Sequence, residues 1–290
     1  MSDSDFLKPV SEPLKLVTQL EQYNTIRSDH ERQLTLLRYW TDELAKPRYD
    51  HPRRLLRYGF KVYSQCDEDG IIQEIFKRVE MKNRRFVEFG VESGVECNTV
   101  KLLVEGWHGL WLDGSAAHVA SIKQTFQAFI DAGRLKIREA FITAENINEL
   151  IREGGASGEI DLLSIDIDCN DYWVWKAIDI INPRVVVIEY NATLRPPLSL
   201  VVPYEPTRRW DGTNYFGASL EALVRLGHTK RYHVVGCGIS LTNAFFVRDD
   251  VASDLFLDPP TAEEHYEPPR YFFAMLRAGH QARLGVFVDV

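Results

Sequence analysis

The stretch Arg85-Phe86-Val87-Glu88-Phe89-Gly90-Val91-Glu92-Ser93-Gly94 decides how the rest of the chain reads. Its apolar run, broken by one acid and stopped by glycine, predicts a strand over residues 85–90 followed by a turn. Gly90 permits a tight turn, and Gly94, four residues on, is expected to let the backbone approach a ligand closely.

Working outward, the same texture recurs. Strands are predicted at Gly109–Asp113, Leu135–Arg138, Ile160–Asp166 and Val185–Tyr190. Helical spacing appears between them at Thr99–Glu105, His118–Ala132, Ile147–Glu153 and Tyr172–Ile181. Such alternation implies a parallel sheet covered by helices on both faces, and the continuous run Val185-Val186-Val187-Ile188 suits a central strand buried on both sides. An amphipathic helix over Asn214–Leu226, then Tyr232–Val235 and Ala244–Val247 around a turn region at 236–242, suggest a closing antiparallel hairpin. The expected fold is therefore α/β, a doubly wound, mostly parallel seven-stranded Rossmann-like sheet with a closing β-hairpin and N-terminal helices.

Three regions are expected. Residues 1–55 form a helical extension and linker, in which Leu16, Leu20, Tyr23, Leu34, Leu37 and Leu44 recur at spacings near three and four. These predict one or two amphipathic helices, interrupted at Arg27-Ser28-Asp29-His30, packed on the main domain and able to mediate homo-oligomer contacts. Residues 56–250 form the main domain. Residues 251–290, with Pro259-Pro260 and Pro268-Pro269, read as an extended tail with a short helix and a strand at Gly285–Val290.

With 290 residues, 45% of them hydrophobic, the chain can build a sizeable core, which excludes general disorder. Its 34 Lys and Arg against 42 Asp and Glu leave a net charge of -8, which disfavours bulk nucleic acid and anionic membrane surfaces as partners. The N-terminus lacks the basic start and apolar run of a secretory signal, and no stretch approaches roughly 18 consecutive apolar residues, so a cytoplasmic protein is expected. Cys66, Cys97, Cys169 and Cys237 lie far apart with no Cys-x-x-Cys pair and are read as free thiols.

In an open parallel sheet, ligands bind beyond the carboxyl ends of the strands, where strand order reverses. Asp113, 19 residues past Gly94 at the end of the second strand, is placed to accept hydrogen bonds from both hydroxyls of a ribose. That argument serves NAD equally well, but a dinucleotide oxidoreductase wants Gly-x-G-x-x-Gly and this chain supplies Gly-x-x-x-Gly. A non-catalytic module that binds a cofactor or partner is a further alternative.

Taken together, several segments resemble the class I S-adenosylmethionine-dependent methyltransferases, with most similarity to the FkbM-like sugar O-methyltransferase group. They are Tyr63 to Gly70, the Phe-Val-Glu-Phe-Gly loop with Asn98-Thr99 after it, and Trp107–Asp113. Ile165-Asp166-Ile167-Asp168 with Asp171-Tyr172, Ile188-Glu189-Tyr190-Asn191, and Asn243 to Val247 complete the set. The resemblance spans about Tyr63 to Arg248. It implies S-adenosylmethionine as cofactor, with Ser64 and Gln65 in the opening segment and Glu88, Gly90, Glu92 and Gly94 around its methionine part. Asp113 and Ser115 would hold the ribose, Phe141 would lie near the adenine, and Asp166 would also contact the cofactor. Glu92 departs from the family's loop, where the middle residue is usually glycine.

Asp166, Asp168, Glu189 and Asn191 converge on one sheet edge in this reading, and clustered carboxylates need protons, hydrogen bonds or a shared cation. A hard divalent ion such as magnesium, held by Asp168, Glu189 and Asn191 as in some sugar and catechol O-methyltransferases, would lower the pKa of an acceptor hydroxyl. Without a metal, Asp168 or Glu189 becomes the general base, with His233 a further candidate. Asp171 is read as a helix cap. The long connection Leu194–Gly217 brings Tyr204, Trp210, Tyr215 and Phe216 to stack on a sugar or other planar acceptor, and Arg208 and Arg209 to hold a phosphate or carboxylate. The expected acceptor is a hydroxyl on a small molecule or glycan unit.

Overall fold

The fold is described from a computed structural model covering residues 3–239, 243–273 and 279–290, with side chains from residue 21 onward. Two compact units divide the chain, Met1–Asp50 and His51–Val290. In the first, one uninterrupted helix, α1 (Asp3–Leu44), carries the polar run at 27–30 straight through. Arg27 and Glu31, one turn apart and 2.9 Å between charged atoms, form an i,i+4 pair that favours helix there.

The second unit alternates as its sequence predicts. α2 (Glu68–Arg78) leads into β1 (Arg85–Phe89), α3 (Val100–Val104), β2 (His108–Asp113), α4 (Ala116–Thr125), α5 (Gln127–Asp131) and β3 (Leu135–Glu139). There follow α6 (Ile147–Glu153), β4 (Gly158–Ile165), α7 (Asp171–Ala177), β5 (Ile181–Glu189), β6 (Leu200–Val201), α8 (Leu220–Thr229), β7 (Tyr232–Cys237) and β8 (Asn243–Arg248). Seven strands make one sheet in the order β3-β2-β1-β4-β5-β8-β7. Every pair is parallel except β5–β8 and β7–β8, so the closing hairpin is antiparallel as expected. The hairpin turn at 240–242 and residues 274–278, where the tail's short helix was expected to fall in part, lie outside the described residues.

Two apolar layers clamp this sheet. Val87, Leu110, Leu163, Val186 and Phe246 face one side, and Phe86, Trp111, Leu162, Val187 and Phe245 face the other, all buried. Strand residues adjacent in register point to the same face, so this two-sided burial follows from the near-continuous apolar runs. Asp161, fully buried in β4, accepts the backbone N–H groups of Lys82, Asn83 and Arg84 at 2.5–2.8 Å and so fixes the turn that launches β1.

Three predicted boundaries are corrected. The helix expected over His118–Ala132 breaks at Phe126, whose backbone leaves helical geometry between α4 and α5. The helix expected from Asn214 begins only at Leu220, because Ser219 is its N-cap and accepts the Ala222 N–H at 3.2 Å. Residues 214–218 instead form a bent, non-helical segment, in which the Asn214 N–H donates to Gln281 O and Ala218 bridges Val201. The helix expected over Tyr172–Ile181 ends at Ala177, since Ile181 already opens β5. A second small sheet pairs β6 with β9 (Val288–Asp289) and ties the tail to the long connection.

Gly109 in β2 lies against the Phe86 ring, where an added Cβ would sit 1.8 Å from a ring carbon. Gly109→Ala should therefore destabilise the unit by about 2 kcal/mol or more through overpacking. Phe86→Leu in the same chain should recover part of that loss, read as urea midpoints across the four-member double-mutant cycle. Strict additivity of the two changes would refute the contact.

Candidate functional site

Register sets the site. Phe89 pairs with Leu112 and with Ile165, and Ile165 pairs with Ile188. Gly90, Asp113, Asp166 and Glu189, each the next residue or the last of its strand, therefore fall in one row along the carboxyl edge, spaced by the roughly 4.8 Å between strands. The row crosses the β1/β4 boundary, where the crossovers change direction, and opens into a cleft of about 660 Å³, a size suited to a cofactor-sized ligand.

Gly90 has φ +68°, and a Cβ there would lie 1.6 Å from the Asp166 carbonyl oxygen, so only glycine lets β1 turn beside the end of β4. The Gly90 N–H donates to Leu112 O at 3.0 Å. Asp113, almost fully buried, accepts the Glu92 N–H on Oδ2 and the Ser115 N–H on Oδ1, both at 2.8 Å, with His118 Nδ1 3.3 Å from Oδ1. The turn after β1 and the acid after β2 are thus directly bonded. Glu92 occupies the left-handed region at φ +48°, the conformation that a glycine would adopt more easily.

Beneath the cleft, Glu88 accepts the N–H groups of Asn98 and Thr99 and the hydroxyls of Thr99 and Ser164. Burial still raises its pKa against those hydrogen bonds. Trp111 Nε1–H donates to Thr99 Oγ1 at 2.8 Å, which locks the loop after β1 to the layer below.

Carboxylate oxygens of Asp166, Asp168 and Glu189 all lie within 4.8 Å of one another. Burial, and after it the charge of Asp168, pushes Asp166 well above the ordinary carboxylate range. Asp168 sits at φ +67°, a strained position for a non-glycine residue. Asp171 is corrected from helix cap to first helical residue. Its Oδ1 reaches back to accept the Ile167 N–H at 2.8 Å, holding the turn that carries Asp168, while its Oδ2 is buried with no hydrogen-bond partner among the described residues.

Of the cofactor, catalytic and metal residues the sequence assigns, Gln65, Glu88, Gly90, Glu92, Asp113, Ser115, Phe141, Asp166, Asp168 and Glu189 line the cleft, and four others are placed elsewhere; of the residues assigned to the acceptor, Arg208, Arg209, Trp210 and Phe216 line it and Tyr204 and Tyr215 do not. The Ser64 hydroxyl is fully buried against Asp69, which also gathers the N–H groups of Val62, Tyr63 and Ser64. Gly94, at φ +78°, turns toward Trp111, Phe126 and Ile122 rather than a ligand, and a Cβ there would meet Trp111 at 2.9 Å. Asn191 spends its amide on the loop: Nδ2 donates to Asn214 O and Phe216 O at 2.9 Å, and Oδ1 accepts from the Thr193 N–H and hydroxyl. His233 pairs with Val247, which pairs with Val185, four residues back from the Glu189 end and about 13 Å away along the strands. β7 runs in the same direction as β5, and His233, the second residue of β7, therefore lies at the amino edge opposite the site, where it faces Asp249.

Sequence reasoning missed His118, Tyr271 and His280, which also line the cleft. His118 was legible, because a helix starting after Ser115 returns residue 118 toward Asp113 within its first turn. Tyr271 and His280 carry no sequence signal; the tail brings them in. There His280 packs edge-on against Trp210, Phe216 and Tyr271 at centroid distances of 4.9, 5.7 and 4.6 Å.

No family model and no curated protein matches the chain. Solved structures that align with it include an S-adenosylmethionine-dependent methyltransferase from Clostridium acetobutylicum ATCC 824, at 12% identity over 62% of this chain and 90% of that one, TM-score 0.38. Another is the N-terminal domain of EvdMO1 with SAH bound, at 14% identity over 68% and 90%, TM-score 0.41. A third is StiE O-MT residues 961–1257, at 13% identity over 58% and 53%, TM-score 0.36. Among the described residues no helix is long and apolar enough to cross a membrane.

Burial raises the Asp171 pKa to about 7, whereas an unfolded aspartate titrates near 3.8. Between those values the folded state binds more protons than the unfolded state, so this group's contribution makes stability fall as pH rises from about 4 to about 7. Asp171→Asn keeps the acceptor for Ile167 and removes the charge. Thermal unfolding should find it closer to or above the parent in stability at pH 8, relative to its standing at pH 4.5. A gap between the two proteins that does not change with pH would contradict that assignment.

Proposed function

We propose that this chain is an S-adenosylmethionine-dependent O-methyltransferase acting on a hydroxyl of a small molecule or glycan unit. The observation that carries the reading is the direct bond between the Glu92 amide after β1 and Asp113 at the end of β2, next to the β1/β4 switch point, with the cleft beside it. A carboxylate oxygen accepts more than one hydrogen bond, so Asp113 keeps acceptor capacity for two ribose hydroxyls. Gly114 adds a shallow cradle, since a Cβ there would come within 3.5 Å of the Phe141 ring, the surface proposed for adenine. The acidic lining also suits a cofactor that carries ammonium and sulfonium charges, and Glu92 and Asp166 are the carboxylates proposed for its methionine end.

When bound, S-adenosylmethionine supplies an electrophilic methyl group on a sulfonium sulfur. The chain's part is to place an acceptor oxygen in line with it and to take the hydroxyl proton. Asp168 and Glu189 are the proposed bases, and at Asp168 burial, and after it the charge of Glu92, raises the carboxylate's affinity for a proton. Three carboxylates within 4.8 Å also fit one hard divalent cation. In that alternative Asp166, Asp168 and Glu189 would hold magnesium in place of acting as bases or meeting the methionine end, and the ion would supply positive charge at the acceptor hydroxyl; Asn191, with its amide committed to the loop, leaves the ligand set proposed from sequence.

Calorimetry with S-adenosylhomocysteine tests the cofactor part directly. Asp113→Ala should weaken binding about 10–100-fold, the worth of one or two charge-assisted hydrogen bonds. Equal affinity in that variant, or no binding by the parent at millimolar ligand, would overturn the reading.

Glu189→Gln should lower turnover about 100-fold or more while leaving cofactor affinity within about threefold, as expected for a group acting on the proton in transit. Transfer of labelled methyl groups into a cell extract measures the first quantity and calorimetry the second. Unchanged turnover would remove Glu189 from its role.

A further inference from the structure

We infer that the acceptor carries an anionic group, a phosphate or carboxylate, held by the Arg208 guanidinium beside the acidic end of the cleft. This rests on the methyltransferase reading above and adds the chemical class of its second substrate.

The cleft is acidic along its strand-end row, yet Arg208 and Arg209 also line it, the only lysine or arginine side chains among the described residues to do so. A cation in such a place would ordinarily be neutralised by the nearest carboxylate. Here no ion pair within 4.0 Å joins Arg208 or Arg209 to a described carboxylate. Arg208 Nε is buried with no hydrogen-bond partner among the described residues. The two acids nearest in sequence have other partners: Glu205 accepts the Thr207 N–H at 3.0 Å and the Thr207 hydroxyl at 2.7 Å on one oxygen, and Asp211 accepts the Thr213 N–H and hydroxyl and pairs with Arg283.

What holds Arg208 instead is a ring. Its guanidinium carbon lies 5.7 Å from the centroid of the buried Tyr215 ring. On that same ring sits Arg283, at 5.3 Å, but Arg283 is neutralised by an ion pair with Asp211. A π face orients a guanidinium without cancelling its charge, so Arg208 keeps its planar fork of donors for a ligand oxyanion. Arg209, by contrast, lies 4.9 Å over Phe141, on the side proposed for adenine.

The surroundings hold Arg208 in place. The loop that carries it is fastened to the tail by β6–β9 pairing, by Asn214 N–H to Gln281 O at 2.9 Å, and by Tyr215 O–H to Val286 O at 2.6 Å. Trp210, 38% exposed, offers a flat apolar surface two residues away for the body of the acceptor. His280 adds no competing charge, since burial lowers its pKa and keeps the imidazole neutral near pH 7. An oxyanion at Arg208 would keep an acceptor's negative charge off the carboxylate row while leaving a neighbouring hydroxyl free to reach Asp168 or Glu189.

Calorimetric titration of the full chain with glucose 6-phosphate, glucuronate and glucose, each with and without saturating S-adenosylhomocysteine, tests this. At least one charged sugar should bind ten or more times tighter than glucose, and which of the two wins separates phosphate from carboxylate. Arg208→Gln should erase the preference while cofactor affinity stays within about threefold, and Arg208→Lys should restore part of it. Glucose binding as well as both anions, no anion binding at 10 mM, or a preference that survives Arg208→Gln would each overturn the inference. Failure of S-adenosylhomocysteine to bind would instead strike the cofactor reading, with the anion titrations on cofactor-free protein still deciding the question of Arg208.

Discussion

The absence of a side chain at residue 90 lets the ends of β1 and β4 meet, and the rest of the site depends on that contact. With the Gly90 backbone against the Asp166 carbonyl, the chain leaves β1 in a left-handed turn. The turn then delivers the Glu92 amide to Asp113 at the end of β2. Three strands are tied at their carboxyl ends by backbone and carboxylate, without apolar packing at the mouth, so a cleft persists there while both sheet faces are close-packed.

Acids do much of the fastening around this mouth. Asp69 gathers three amides before α2, Glu88 gathers two amides and two hydroxyls after β1, and Asp171 holds Ile167 after β4. Each carboxylate bound to backbone donors fixes a loop that has no regular structure to fix it. Asp166, Asp168 and Glu189 are brought to one place by strand register, and a cation or a transferred proton would relieve the repulsion among their charges.

Much of this was legible in the sequence. The runs around Val87, Leu110, Leu163 and Val186 are apolar because both faces of each strand are covered, and that makes the sheet readable one strand at a time. Gly90 and Asp113 were legible as neighbours because parallel register follows from the βαβ alternation. What was not legible depends on partners distant in sequence. Gly94 has the same local signature as Gly90, and only the tertiary placement of Trp111 and Phe126 shows that it serves packing. The strand pairing that sets His233 at the far edge, the loop bonds that consume Asn191, and the tail pairing that brings His280 to Trp210 are all long-range. The start of α8 differs for the same reason, since residues 214–218 have helical spacing but Asn214 bonds Gln281 in the tail and Ala218 bridges Val201 in β6.

The central claim is that the Gly90 turn and Asp113 together cradle an adenosyl group. Amide hydrogen exchange with and without S-adenosylhomocysteine tests it most directly, because it reports where a ligand sits and does not depend on knowing the acceptor. The account predicts slowed exchange in residues 90–98, 113–118 and 140–143, with the edge around His233 unaffected. Protection confined to other segments, or no change in any of these three at saturating ligand, would contradict it.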